Sequence, residues 1–374
     1  MERAVSADVT TPKPQAPVRK KRRLTFVESV LWAIRIGAIL FIVIGLFGSI
    51  TKFIAGDGPS AEAWRDLIVS GLAQGSMYGL IALGYSMVYG VLGFINFAHG
   101  EVFMAGAMVG FFAANSLDQA GVWTANPLLA LFIVLLVAMA TSTLVAVLVE
   151  RIAYRRLRNS PRLIPLITSI GVSFFLQYAF AGLFGVNLRT YPALPDVLTG
   201  RLSILGFTVQ TRQALVIVVA VVSMIALYQL VNRTKTGRAL RAVAEDKEIA
   251  ALMGINVDRT IVLTFAVGGA MAGIAGVLYA ILFRGVFFFT GFLPGIKAFT
   301  AAVLGGIGNI PGAMFGGVLL GLFETLGPLV ILDGLGIPGV SQLRDVVAFS
   351  ALVLMLVFRP SGLLGERLGA EDRA

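Results

Sequence analysis

The sequence predicts an all-α, polytopic helical membrane protein with about nine to ten transmembrane helices, some of them broken or re-entrant. Three observations predict it. Hydrophobic residues make up 57% of the 374 positions and charged ones only 13%, against about a quarter charged in a soluble domain. The apolar residues fall in blocks of about 20, the length that crosses a bilayer as a helix. Short basic clusters separate the blocks, which is the pattern that orients helices in a membrane. At this length a single bundle is expected, and the 43 glycines suit close helix packing in lipid.

The elements follow in order. Residues 1–28 hold Pro12, Pro14 and Pro17 and then five consecutive basic residues, Arg19 to Arg23; they read as a disordered basic cytosolic tail. The run 29–54 reads as an extra, uncleaved N-terminal transmembrane helix. Residues 60–366 form the main transmembrane domain, and 367–374 a second cytosolic tail. Backbone groups in lipid are satisfied only within the chain, so each apolar run is helical. Within the domain the runs lie near 66–92, 98–114, 128–149, 163–185, 213–231, 260–283, 297–308, 312–331 and 345–358. The run 297–308 is short for a crossing and is expected to be broken or re-entrant. Arg151, Arg155, Arg156, Arg158 and Arg162 mark one cytosolic loop, and Arg233, Lys235, Arg238, Arg241 and Lys247 another. The loops near 115–127 and 186–212, poorer in positive charge, belong outside.

Several chemistries are excluded. There is no cysteine, so no disulfide, thiol nucleophile or thiolate metal site, and a single histidine rules out a multi-histidine centre. The net charge of +10 sits mostly in loops and the N-terminal tail and reads as a topology determinant, not a nucleic-acid surface. No Gly-Lys dipeptide occurs, so the chain carries no Walker A loop. Gly334-Leu335-Gly336-Ile337-Pro338-Gly339 fits G-x-G-x-x-G, but no strand precedes it and Pro338 lies inside it; it is a turn. Glu324, Asp333 and Asp345 are too far apart in sequence to claim a metal site.

Two stretches stand out. In VLGFINFAHGEVFMAGA, residues 91–107, Asn96, His99 and Glu101 sit among hydrocarbon. A carboxylate at membrane depth costs about 2.5–3.5 kcal/mol on insertion scales, so it faces a partner or a wet cavity. Three readings stand for these residues: a substrate path, a hydrogen-bonded knot at a helix break, or an exposed cytosolic turn. An echo strengthens the interest. Val91-Leu92-Gly93 is matched by Val303-Leu304-Gly305, Asn96 by Asn309, Gly100 by Gly312 and Phe103 by Phe315. Paired glycine-interrupted segments point to a transporter site near mid-membrane, so Asn309 joins the candidates. The second stretch, 232–259, is the longest polar segment between spans. Its composition favours a helix, with Gly237 before it and Gly254 as its C-terminal cap. It either lies on the inner leaflet or docks on a cytosolic partner.

The residues also resemble a known family. GLAQGSMYGLIALGYSMVYGVLGFINFAHGEVFMAGA (71–107), ERIAYRRLRNSPRLIPLITSIGVSFFLQ (150–177), NRTKTGRALRAVAEDKEIAALMGINVDRTIVLTF (232–265), GIKAFTAAVLGGIGNIPGAMFGGVLLGLFE (295–324) and FRPSGLLGE (358–366) resemble the permease subunits of branched-chain amino acid ABC transporters, the LivH family. The resemblance covers about residues 66–366. It implies a non-enzymatic subunit in the bacterial inner membrane; the basic loops place both termini in the cytosol. It also implies a second, related permease (LivM type), two cytosolic ATPases that bind the ATP, and a periplasmic protein delivering leucine, isoleucine or valine. Thr236, Gly237, Arg238, Ala239, Leu240, Arg241, Asp246 and Gly254 then belong to the segment that docks on an ATPase. The chain itself needs no cofactor or metal. Within the class the rival cargo is urea, a short amide or another small polar solute; outside it, the rival is a stand-alone carrier or channel.

Overall fold

The computed structural model describes residues 26–365 except 159, 162, 205 and 206; the expected tails lie largely outside them. The elements in order are α1 (Phe26–Ala55), α2 (Ala61–Leu92), α3 (His99–Gln119), α4 (Val122–Ala125), α5 (Pro127–Val149), α6 (Leu163–Phe184), β1 (Arg189–Thr190), α7 (Asp196–Thr199), β2 (Arg201–Ile204), β3 (Phe207–Gln210), α8 (Thr211–Arg233), α9 (Lys235–Glu245), α10 (Lys247–Leu252), α11 (Val257–Phe283), β4 (Gly285–Val286), α12 (Phe292–Gly305), α13 (Ile310–Gly327) and α14 (Arg344–Phe358). Among the described residues nine helices are long and apolar enough to cross a membrane. The strands form only two small pairs, β1 with β4 and β2 with β3.

The run expected to be short at 297–308 is short, but its bounds lie earlier. The helix there is α12, which starts at Phe292 and ends at Gly305 after 14 residues, too short to span about 30 Å of hydrocarbon. It begins inside the bundle and runs to the face that carries the basic loops.

The centre of the bundle is a seam between α2 and α13. Gly71, Gly75 and Gly79 on α2 meet Gly317 and Gly321 on α13 in antiparallel order. A Cβ on Gly75 would lie 2.8 Å from the Gly317 carbonyl oxygen and 2.8 Å from Val318 Cα. Spacing by four puts these glycines on one stripe of each helix, so the backbones come together as in small-xxx-small packing. α11 packs along α5, α3 and α2, and the core includes Met77, Leu80, Phe103, Met108, Phe265 and Leu278.

The outer helices are different. α1 and α14 bury little of their surface. α1 is pinned by a few contacts: Gly45 and Gly48 lie against Ile331 and Gly334, Arg35 Nη2 donates to the Val357 carbonyl at 2.7 Å, and Lys52 Nζ pairs with Asp333 at 3.1 Å. Their remaining surface carries large exposed side chains such as Trp32, Leu40 and Phe47, a composition suited to lipid.

Filling the seam tests its role. Gly75→Leu is expected to lower the thermal midpoint of the detergent-solubilised chain, with a cost of about 1–3 kcal/mol or more for overpacking. Gly171→Leu is the control, because nothing lies within 4 Å of a Cβ there. Size-exclusion profiles after a heating series would show it; equal tolerance of both changes would contradict the seam.

Candidate functional site

α2 stops at Leu92 because Gly93 turns the chain with φ +75°, and its N–H donates back to Tyr89. The chain then doubles back into the bundle. His99, at the start of α3, packs against Gly84, eight residues back along α2 and about 12 Å up its axis. The intervening backbone is stapled by side chains from elsewhere. Phe97 N donates to Ser169 Oγ at 3.3 Å. Tyr154, in the π-helical turn that ends α5, donates its hydroxyl to Asn96 Oδ1 at 2.6 Å.

Asn96, His99 and Glu101 are all buried, at 2%, 2% and 1% exposure, which removes the exposed-turn reading. Glu101 sits in the first turn of α3, where the helix dipole favours negative charge. Its Oε1 accepts from Gln177 Nε2 at 2.7 Å and from the Ser173 hydroxyl at 3.2 Å, both on α6. Its Oε2 has no hydrogen-bond partner, nor has His99 Nε2. The imidazole stands edge-on to Tyr85, with ring centroids 5.0 Å apart.

Oε2 faces the beginning of α12. A Cβ on Gly291 would lie 2.6 Å from it, and a Cβ on Gly100 would lie 2.6 Å from the Gly291 carbonyl oxygen. Two helices thus begin at one point inside the bundle, α3 running one way and α12 the other. Only paired glycines allow that approach.

Asn309 is elsewhere. It caps α13, accepting from Gly312 N at 2.9 Å, and its amide donates to the Leu364 carbonyl at 2.8 Å. The sequence echo therefore matches two helix breaks of the same sense, after Leu92 and after Gly305, but not two equivalent asparagines.

Sequence reasoning missed a buried ionic cluster. Lys297 on α12 pairs with Glu324 on α13 at 2.8 Å and with Asp345 at the start of α14 at 2.6 Å. Its Nζ lies 5.8 Å from the Tyr78 ring centroid. Lys297 and Glu324 are 8% and 4% exposed. The available signal was a lone lysine in an apolar segment, which calls for a named partner; separation in sequence said nothing about separation in space.

The polar stretch is also corrected. It forms two helices, not one. Thr234 caps α9 by accepting from Gly237 N at 3.0 Å, so Gly237 lies inside the first turn rather than before the helix. Asp246 breaks the run and caps α10, accepting from Glu248 N and Ile249 N at 2.8 and 2.9 Å. Gly254, at φ +80°, ends the pair. Leu240 and Val243 face inward, Thr236, Arg238 and Arg241 face out, and Ala239 is half-buried. Leu252 and Met253 are 87% and 78% exposed, so the apolar side chains of the stretch do not share one buried face. Arg241 Nη1 donates to Asn232 Oδ1 at 2.5 Å.

Removing one partner of a buried ion pair is costly, about 3–5 kcal/mol. Lys297→Met is therefore expected to lower the thermal midpoint sharply, and Lys297→Met with Glu324→Met to recover most of the loss. Thermal melts of both variants decide it, since an unchanged single variant would mean that the cluster holds nothing.

The family described as "Branched-chain amino acid transport system / permease component" matches residues 67–357. The chain is 45% identical over 318 residues to the high-affinity branched-chain amino acid transport system permease protein BraD of Pseudomonas aeruginosa, covering 82% of this chain and 98% of that one. It is 43% identical over 299 residues to the permease protein LivH of the same kind of system in Escherichia coli K12, covering 79% and 94%. A probable LivH of Methanocaldococcus jannaschii is 27% identical over 76% of this chain and 88% of its own.

Proposed function

We propose that this chain, which belongs to the branched-chain amino acid transport system permease family, carries leucine, isoleucine or valine across the bacterial inner membrane as one subunit of an ABC importer. The observation that carries the reading is the near-complete coverage of relatives named for that transport, at more than 40% identity. The face with the basic loops is then cytosolic by the positive-inside rule.

On this reading the chain is the gate and other subunits are the motor. A second, related permease completes the path, a periplasmic protein delivers the amino acid, and two cytosolic ATPases bind the ATP. α9 and α10 are the docking segment. Their outward arginines and the exposed Ile249, Leu252 and Met253 supply the charged rim and apolar anchor of a protein interface. Asp246 sets the angle between the two helices, and Gly254 returns the chain to α11.

Within the membrane, His99 and Glu101 are the groups we assign to the path. Each has a buried polar atom with no hydrogen-bond partner, and both stand where two helices begin. Broken helices with their N-termini at mid-membrane are the transporter device for holding charged groups of a solute. The path opens when α12 parts from α3 at Gly100 and Gly291. Asn96 and Asn309 are held by the chain's own groups and shape the breaks.

Reconstitution with the cognate partners, and uptake of radiolabelled leucine against urea as competitor, tests the cargo; urea uptake with no leucine uptake would refute it. Glu101→Gln is expected to reduce uptake about tenfold or more, the worth of a hydrogen bond to a charged group. Full transport by that variant would remove Glu101 from the path. Reversing charge at Arg238 and Arg241 is expected to weaken ATPase association about tenfold while the membrane subunits still assemble. Normal co-purification would refute the docking role.

A further inference from the structure

The exposed stripe of α5 runs through Phe132, Leu136, Leu144 and Leu148, and Ile152 in the π-helical turn beyond it is exposed too. Residues four apart on a helix share one face, so this is the face α5 presents to lipid. It ends, within one turn, in Arg151 and Arg155, both exposed. α11, by contrast, is mostly buried, but near its start Leu263 is exposed, one turn from exposed Arg259. The α5 stripe thus ends beside guanidiniums at the basic face, and Arg259 at the start of α11 stands next to them.

Between these two helix ends lies a cavity of about 310 Å³ lined by Arg151, Arg155, Asn256, Asp258, Arg259 and Val262. Arg155 is held in place by Asp258 at 3.0 Å. Arg158 bridges Asp258 and the buried Glu150. Arg151 and Arg259 have no ion-pair partner among the described residues. The cavity therefore presents two uncompensated guanidiniums beside one carboxylate that is already doubly paired. It opens at the N-terminus of the 27-residue α11, and Val262 supplies an apolar wall.

We propose that this cavity binds the phosphate of an anionic phospholipid head group, with Arg151 and Arg259 as the phosphate ligands and the acyl chains lying along the α5 stripe. Guanidinium forks match phosphate oxygens bidentately. Basic pockets between helices on the cytosolic side attract anionic lipid. An acidic loop of a protein partner would also satisfy the charge, but it would not explain why Arg151 stands at the end of a long exposed apolar stripe. The lipid would brace the cytosolic ends of α5 and α11 next to the α9–α10 segment.

The test uses the full purified chain and native mass spectrometry, with phosphatidylglycerol and phosphatidylcholine added in turn. Phosphatidylglycerol is expected to be retained preferentially. Arg151→Gln with Arg259→Gln is expected to weaken its binding about tenfold or more, near the worth of two basic side chains at a membrane surface. Arg156→Gln with Arg233→Gln removes the same charge from the same face outside the cavity and is expected to leave binding unchanged. Arg151→Gln alone, at an exposed position, gives a second reading if the double variant misfolds; it is expected to show part of the loss. Equal loss in the control pair would mean diffuse surface charge and no site. Inorganic phosphate that competes as well as the lipid would make the site one for free anions and overturn the proposal. Unchanged lipid binding in the double variant, with lost association of the ATPase subunits, would assign the arginines to a protein contact instead.

Discussion

A backbone inside hydrocarbon has no water to bond with, so every N–H and C=O has to find a partner in the chain. Long helices meet this requirement on their own. Two places where the described chain leaves helix inside the bundle do not, and the buried groups around Glu101 follow from them. Between Leu92 and His99 the chain needs Ser169 and Tyr154 to hold it. Before α12 the turn at Phe287–Thr290 is closed by its own threonine, whose Oγ1 accepts from Phe287 N at 2.8 Å. The breaks bring helix starts inside the membrane, and helix starts attract negative charge. Glu101 stands at such a start for that reason, with the start of α12 on its other side.

Glycine decides which of these elements move as one. The α2–α13 seam brings backbone to backbone, leaving no side-chain layer to slide or repack. The contact of Gly100 with Gly291 and Gly295 is equally close, but it joins two helix ends instead of two helix flanks. Close-packed interiors transmit displacement and do not absorb it. A displacement of α2 thus carries α13 with it, whereas α3 and α12 meet at a point about which they can separate. The ionic cluster at Lys297 ties α12 to α13 and to the first turn of α14, so α12 moves as part of the α2–α13 side.

Much of this was legible in the sequence, for identifiable reasons. Membrane helices announce themselves because the solvent permits only one local structure, and basic loops announce the face they share. The short segment near 297–308 was legible as a broken or re-entrant helix, though its start was not, because Phe292 lies in an aromatic run that looks like the end of the previous span. Asn96, His99 and Glu101 were legible as buried polar groups. Their partners were not, since Tyr154, Ser173 and Gln177 come from helices that only the fold brings near. Lys297 and Glu324 went unpaired for the same reason. The polar stretch 232–259 misled through composition: Asp246 looks like part of a charged helical face, whereas its short side chain competes for backbone N–H groups and ends one helix to begin another.

The docking role proposed for α9 and α10 has a mechanical consequence. α9 turns its buried side, Leu240 and Val243, toward the bundle, and Ala244 lies next to Gly90 at the end of α2. A push from a cytosolic motor therefore arrives at α2 within one turn of the break at Gly93. α2 passes the push in two directions: along the seam to α13 and through the Lys297 pairing to α12, and sideways at Gly84 to His99 on α3. The first route moves α12 and the second moves α3, and the two meet again at Gly100 and Gly291, where Glu101 Oε2 is held without a partner. A gate worked by partner ATPases, as proposed, needs such a layout. On that reading the force would enter at one end of a single helix, and the fold would convert it into relative motion of two helix ends inside the bundle.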